Sequence, residues 1–183
     1  VTSDPCPEVI GGIPTGADQS KGCIYLGLLN DYTGPFGPYG IPLETGQRGF
    51  WLWANQSGGI GDYSVAIVEG YDTQYNPQKH LEGYKAQRGE VAALAMSLGT
   101  PQTQFILDDM DADNMIAAPM SWYSGWSYKG SDRGLVVEFG SSYCADGMNA
   151  LDWAMANLPV DIKTVGVMGY AGDYGGDYAA GIR

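Results

Sequence analysis

The chain holds one histidine, three cysteines and nine lysines and arginines in 183 residues, and each shortage closes off a kind of chemistry. His80 is the only imidazole. It falls inside a predicted helix, away from the strand-end loops, and reads as a surface residue. With one histidine and no Gly-x-Ser-x-Gly, neither a nucleophile–base pair nor an α/β-hydrolase elbow is on offer. No Cys-x-x-Cys occurs, which removes the redox and zinc-finger readings. Nine basic residues face 21 acidic ones, for a net charge of −12. Nucleic acid and anionic membranes both need clustered lysine and arginine, so neither is an expected partner. No apolar run approaches the ~20 residues of a membrane span. The first seven residues have neither the basic start nor the apolar stretch of a signal peptide, so the chain is either cytoplasmic or in its mature form.

What remains is a globular composition, 44% hydrophobic and 16% charged, long enough for one domain of average size or two small ones. Cysteine usage favours the mature, extracytoplasmic form. Cys6 and Cys23 bracket a Gly/Pro/Ser-rich segment with little apolar content to hold it down. A disulfide there contributes on the order of 3 kcal/mol; two unrelated thiols are the alternative. Cys144 is left over, either as a free buried thiol or paired outside these residues.

The pattern along the chain alternates strand and helix. Residues 24–30 (IYLGLLN) make a short apolar run suited to a buried strand. A helix follows with Leu43, Phe50, Trp53 and Ala54 at helical spacing, and stops at the Gly58-Gly59 pair. Residues 64–71 form a second strand, and Asn76-Pro77 opens a helix reaching about Arg88. Strands over 91–97 and 114–119 flank a helix over 102–109, and a helix around 150–158 precedes a strand over 164–169 and a last helix from about Asp173. Repeated β-α units imply an α/β fold, an open parallel sheet with helices on both faces. Ligands of such sheets bind beyond the carboxyl ends of the strands. Residues 31–40, 99–103 and 119–124 lie there.

Few signals point to catalysis. Asp109, Asp111 and Asp113 resemble the start of a calcium loop, but Asn114 and Met120 stand where an EF-hand needs Gly and Glu; a solvated helix end is the simpler reading, and no metal is expected. The glycines of GYAGDYGGDYAAG match no dinucleotide fingerprint, and Asp173 and Asp177 would repel a phosphate, so no cofactor is expected. LGTPQT, by contrast, follows a strand and opens a helix with Thr100 as N-cap, a place for a carboxylate or merely a cap without ligand. Aromatic residues are abundant: Tyr32, Phe36, Tyr39, Trp122, Tyr123 and Trp126 all fall in strand-end segments. They either wall a small organic ligand or pack over the sheet ends.

Taken in order, IYLGLLNDYTGPFGPYG, WANQSGGIG, VEGYDTQYNP, ALAMSLGTPQT, IAAPMS and VGVMGYAGDYGGDYAAG resemble the ligand-binding proteins of branched-chain amino-acid type ABC importers, from Ile24 to Arg183. The resemblance implies the type I periplasmic-binding-protein fold, two lobes that close on a small ligand, and no catalytic residues. It implies a nearly complete lobe one over 24–120, a crossover over 121–139 and the start of lobe two over 140–183, which leaves 1–23 as an N-terminal extension that carries the Cys6–Cys23 pair read above as a disulfide. It places the ligand carboxylate at Thr100, with Gln102 and Thr103 close by. Ser121 and Trp122 come from the loop after the fourth strand, Tyr39 from the first strand-end loop, and Tyr174 from lobe two. Family chains are considerably longer, so a monomer whose C-terminal half lies outside this sequence is expected. The bulky run Ser121-Trp122-Tyr123 replaces small residues and narrows the pocket or reshapes it for something other than leucine or valine. The implied role is capture of an amino acid or related small carboxylate, in the periplasm or at the cell surface, for a membrane permease. The alternative is a ligand-sensing domain of the same fold in a receptor or regulator.

Overall fold

The computed structural model describes residues 1–128 and 130–183. Its centre is a parallel sheet of β3 (Gly22–Asn30), β4 (Tyr63–Ile67), β6 (Ala93–Leu98) and β7 (Ala117–Met120), after an N-terminal hairpin of β1 (Val9–Ile10) and β2 (Ile13–Pro14). The strand order is β4-β3-β6-β7, and the two-residue β5 (Tyr71–Asp72) pairs with the carboxyl end of β3. The stretch read as one strand over 64–71 is therefore two. The chain leaves the sheet after Ile67 and returns only where Leu29 and Asn30 meet Tyr71 and Asp72.

Both faces are covered, as the unbroken apolar run of β3 requires. The 20-residue α1 (Gly37–Gln56) lays Leu43 and Trp51 over Leu28, Ile67, Met96 and Met120. The other face carries α2 (Pro77–Gln87), α3 (Thr100–Phe105) and α4 (Leu107–Asp113), whose Tyr84, Ile106 and Met110 pack on Leu29, Leu94 and Ala117. The caps of α2 are where the sequence puts them: Asn76 accepts the N–H groups of Gln78 (2.9 Å) and Lys79 (3.1 Å), with Pro77 at the first helical position. At the end of α1, Gly59 (φ +71°) returns its N–H to the Ala54 carbonyl at 2.8 Å. The helix read over 102–109 is in fact two short ones, broken at the fully buried Ile106, which drops into the core.

Cys6 and Cys23 form a disulfide, with Cα atoms 4.7 Å apart and both residues buried. It ties the hairpin segment to β3, helped by the Thr2 and Cys23 backbones, which exchange hydrogen bonds of 2.9 Å. Replacing both cysteines by alanine is expected to lower the unfolding free energy by about 3 kcal/mol, read as a lower urea midpoint with a somewhat higher m-value, because the uncrosslinked denatured chain exposes more surface. An unchanged midpoint would mean that packing alone holds the segment.

Beyond β7 the chain makes a 3₁₀ turn (Ser124–Ser127), then α5 (Tyr143–Asn157) and α6 (Gly175–Ile182), which pack together. Their close approach depends on two glycines: a Cβ at Gly147 would lie 2.5 Å from the Tyr178 carbonyl oxygen, and one at Gly181 would strike that of Cys144. Cys144 is half-buried and free. The strand expected over 164–169 does not form. A parallel strand exists only through a neighbour that completes its ladder, and among the described residues no strand pairs with this one; Val165 and Val167 are exposed. No helix among the described residues is long and apolar enough to cross a membrane.

Candidate functional site

The carboxyl ends of β3, β5, β6 and β7 converge on one edge of the sheet, where the buried residues turn polar. Asn30, Asp31, Thr73, His80, Ser97, Thr100, Gln102, Thr103 and Ser121 are all buried there. The first loop is shaped by Asp31, whose carboxylate accepts the N–H groups of Gly34 (2.6 Å) and Phe36 (2.7 Å). Asp72 anchors the next loop, accepting from the Thr33 hydroxyl (2.6 Å) and the Tyr32 N–H (2.9 Å). Its burial works to raise the carboxyl pKa, but these hydrogen bonds outweigh that and hold it below the usual value.

His80, read as a surface residue, is fully buried instead. It sits on the inner side of α2, with Nε2 2.8 Å from the Ser97 hydroxyl. Ser97 lies 2.7 Å from the Thr103 hydroxyl, which donates to the Gly99 carbonyl at 2.9 Å. Nδ1 has no partner. An unpaired acceptor costs less than a stranded N–H, so the proton belongs on Nε2, and the chain runs from His80 to Ser97, Thr103 and Gly99. Burial pulls the imidazole pKa from 6.5 down to about 3, leaving His80 a neutral donor that ties α2 to the back of the β6–α3 loop.

The front of that loop carries Thr100. It is the first residue of α3 rather than its cap; the cap position belongs to Gly99, at φ +105°. The Thr100 hydroxyl lies 2.5 Å from that of Ser121, which also accepts the Trp126 indole N–H at 3.0 Å. Two hydroxyls sharing one hydrogen bond leave one proton uncommitted whichever way that bond points. The first intrahelical bond of α3 runs from the Thr103 N–H to the Gly99 carbonyl (3.0 Å), so the N–H groups of Thr100 and Gln102 have no partner within the helix. Uncommitted donors suit an acceptor group such as a carboxylate.

Aromatic rings frame this edge. Phe36 packs against Tyr75 (4.2 Å between centroids) and Tyr39 (6.3 Å), Tyr143 meets Tyr174 (4.9 Å), and Trp122 meets Tyr143 (6.1 Å). The Tyr75 phenol is pushed up to about 12, first by burial and then by Tyr143, Asp173, Asp31 and Tyr174. Tyr75 therefore lies near Tyr143, Asp173 and Tyr174 of the later segment, and the space between that segment and the strand-end loops is the candidate ligand cleft. Gln74 and Tyr75 both take left-handed backbone, at φ +51° and +53°, which costs about 1–2 kcal/mol for each non-glycine residue.

The sequence matches the family model for periplasmic binding proteins over residues 23–183. The chain belongs to that family. No curated protein matches it. Among solved structures, a fatty acid ABC transporter substrate-binding protein from Thermomonospora curvata is 26% identical, with a TM-score of 0.71 over 93% of this chain and 43% of its own. A possible leucine/isoleucine/valine-binding protein from Rhodopirellula baltica SH 1 aligns with a TM-score of 0.73 at 17% identity, over 92% of this chain and 44% of its own. A branched-chain amino acid ABC transporter from Thermus thermophilus with bound valine gives 0.65 at 15% identity, over 74% and 35%. The chain thus spans less than half the length of these structures. The fold is that of a type I periplasmic binding protein, whose relatives here are substrate-binding proteins of transporters and not enzymes.

Within this periplasmic-binding fold the expected residues divide. Thr100, Ser121, Gln102 and Thr103 are buried together at the ends of β6 and β7. The Thr103 hydroxyl is turned inward to Gly99 and Ser97, and the Gln102 amide donates to the Tyr75 carbonyl at 2.7 Å. Tyr39 and Tyr174 stand on the rim, 66% and 48% exposed. Trp122 packs over the core with Tyr32 and Phe36, and Trp126 is buried outright. Tyr75 and Tyr143 escaped the sequence reading. Tyr75 sits just before the Asn76 cap, three residues beyond β5, and that cap is the one local signal beside it. The aspartates over 108–113 lie along α4 beside arginines: Arg88 pairs with Asp113 (3.1 Å), and Arg133 with Asp108 (2.5 Å) and Asp111 (3.1 Å).

Proposed function

We propose that this chain is part of an extracytoplasmic solute-binding protein that captures an amino acid or related small carboxylate for an ABC importer. Residues 24–120 would be most of lobe one, 121–139 the crossover and 140–183 the start of lobe two. The observation that carries the reading is the Thr100–Ser121 hydroxyl pair, with an uncommitted proton at the joined ends of β6 and β7 and aromatic rings from the later segment opposite. Family membership supports the extracytoplasmic location, as does the disulfide, a bond of oxidising compartments. The mechanism is a population shift: a ligand touched by both lobes only in the closed state favours that state. Tyr39, Gln102, Trp122 and Tyr174 would shape the enclosure, with Thr103 holding the loop from behind.

A thermal-shift panel of amino acids and small carboxylates, followed by titration calorimetry with the best of them, tests this. Thr100→Ala is expected to weaken binding by about 1–3 kcal/mol, roughly 5- to 150-fold. An unchanged affinity would remove Thr100 from the site, and a panel without a single shift would count against the binding role itself.

A further inference from the structure

Tyr75 occupies a place that its backbone does not favour. It and Gln74 follow one another at positive φ, a conformation natural to glycine, and the surroundings enforce it. Asp72 accepts the Gln74 N–H at 3.2 Å, the Asn76 N–H returns to the Thr73 carbonyl at 2.9 Å, and the Gln102 amide clamps the Tyr75 carbonyl at 2.7 Å. The result is a ring thrown inward. A Cβ at Gly99 would lie 2.7 Å from Tyr75 Cε2 and would strike Gln102 Oε1, so ring and amide together fill the space above the glycine that precedes Thr100. Gln102 Oε1 is buried without a partner beneath that ring. Phe36 backs the ring on one side, while the phenol faces Tyr143, Asp173 and Tyr174 on the other. The ring therefore stands over Gly99, the residue that precedes Thr100. A groove of about 390 Å³ lies elsewhere, between the hairpin and α1, lined by Ile13, Pro14, Ile41, Arg48 and Leu52 among others; Thr100, Ser121 and Tyr75 are not in its lining.

We propose that Tyr75 sets the length of ligand the cleft accepts, admitting molecules of amino-acid size and blocking long-chain acids. This rests on the binding role proposed above and adds a specificity-determining residue to it. A carboxylate anchored at Thr100 and Ser121 must run past the Tyr75 ring, where a short side chain fits against the aromatic faces and a long chain meets a filled space. The loop backbone is held from three sides, and the ring itself is wedged between Phe36 and the Gly99–Gln102 turn.

The test is an amide-resolved NMR titration of the 183-residue chain with two probes, L-valine and decanoate. The wild type is expected to bind L-valine about tenfold or more tightly than decanoate. Tyr75→Gly, which suits the positive φ, is expected to raise decanoate affinity about tenfold and to cancel the preference for L-valine, whatever L-valine itself loses with the ring. Tyr75→Ala should act in the same direction should the glycine variant lose its fold, and Tyr75→Phe, equal in bulk, should keep the wild-type ratio. A decanoate affinity that neither small variant alters, or a wild type that prefers decanoate, overturns the proposal while leaving the binding role intact. If neither probe moves a cleft amide in any variant, the binding role and the proposal fall together.

Discussion

Lowering the pH from 6.5 towards 3 is expected to remove several kcal/mol of stability through His80 alone, and His80→Gln is expected to flatten that loss. Burial depresses the folded-state imidazole pKa from 6.5 to about 3. Above pH 6.5 both folded and unfolded forms are neutral, and the stability is fully present. Below it the unfolded chain takes up a proton that the folded chain refuses, so stability falls as pH falls, by up to about 1.4 kcal/mol per pH unit, until the folded pKa is reached. Glutamine can place an N–H near the Ser97 hydroxyl without titrating, so it keeps the donor and removes the proton uptake. Urea unfolding at a series of pH values reads the effect directly. The carboxylates contribute equally to both proteins at the acid end, so the difference between the two curves belongs to His80. Identical slopes would mean that the imidazole is hydrated and not enclosed between α2 and β6.

The parts of the fold that could be read in advance are those governed by local chemistry. The apolar run of β3, the Asn76-Pro77 cap and the Gly58-Gly59 stop each carry their cause within a few residues, and each lies where the sequence put it. The misreadings came from tertiary context. His80 looked like a surface residue because a lone polar side chain in a helix usually is one, and nothing local announces that Ser97 waits 2.8 Å away on another element. The strand expected over 164–169 has a suitable composition, but a strand is a relation between two segments, and no described strand pairs with it.

The site divides in the same way. Thr100 and Ser121 could be singled out because residues after parallel strands must gather at one edge of the sheet. That they would be 2.5 Å apart could not, since it depends on the register between β6 and β7. Tyr75 was hidden for a different reason. Left-handed backbone is legible where glycine or asparagine marks it, as at Asn114, which closes α4 at φ +52°. Glutamine and tyrosine carry no such mark, and only hydrogen bonds from distant residues hold them there.

Trp126→Ala is expected to cost about 3–5 kcal/mol, and Trp126→Phe only about 1 kcal/mol. The indole is 2% exposed and meets Tyr123 edge-on at 6.0 Å. It also donates to the Ser121 hydroxyl at 3.0 Å, so it serves packing and site at once. Alanine leaves a cavity the size of two fused rings, a loss comparable to much of the ~5–15 kcal/mol by which most domains are stable. Phenylalanine refills most of that space but carries no N–H. Urea denaturation of the three proteins therefore separates packing, the gap between alanine and phenylalanine, from the hydrogen bond, the gap between phenylalanine and wild type. The second gap also bears on the site. With Trp126 donating, Ser121 has one lone pair occupied and shares a single bond with Thr100, which confines the spare proton to the ligand side; without it, that proton is free to turn inward. Ligand affinity is thus expected to fall severalfold in Trp126→Phe at nearly wild-type stability. Equal stabilities for the phenylalanine and alanine variants would show that the ring is not packed as described. An unchanged affinity in Trp126→Phe would show that the Thr100–Ser121 pair needs no support from behind.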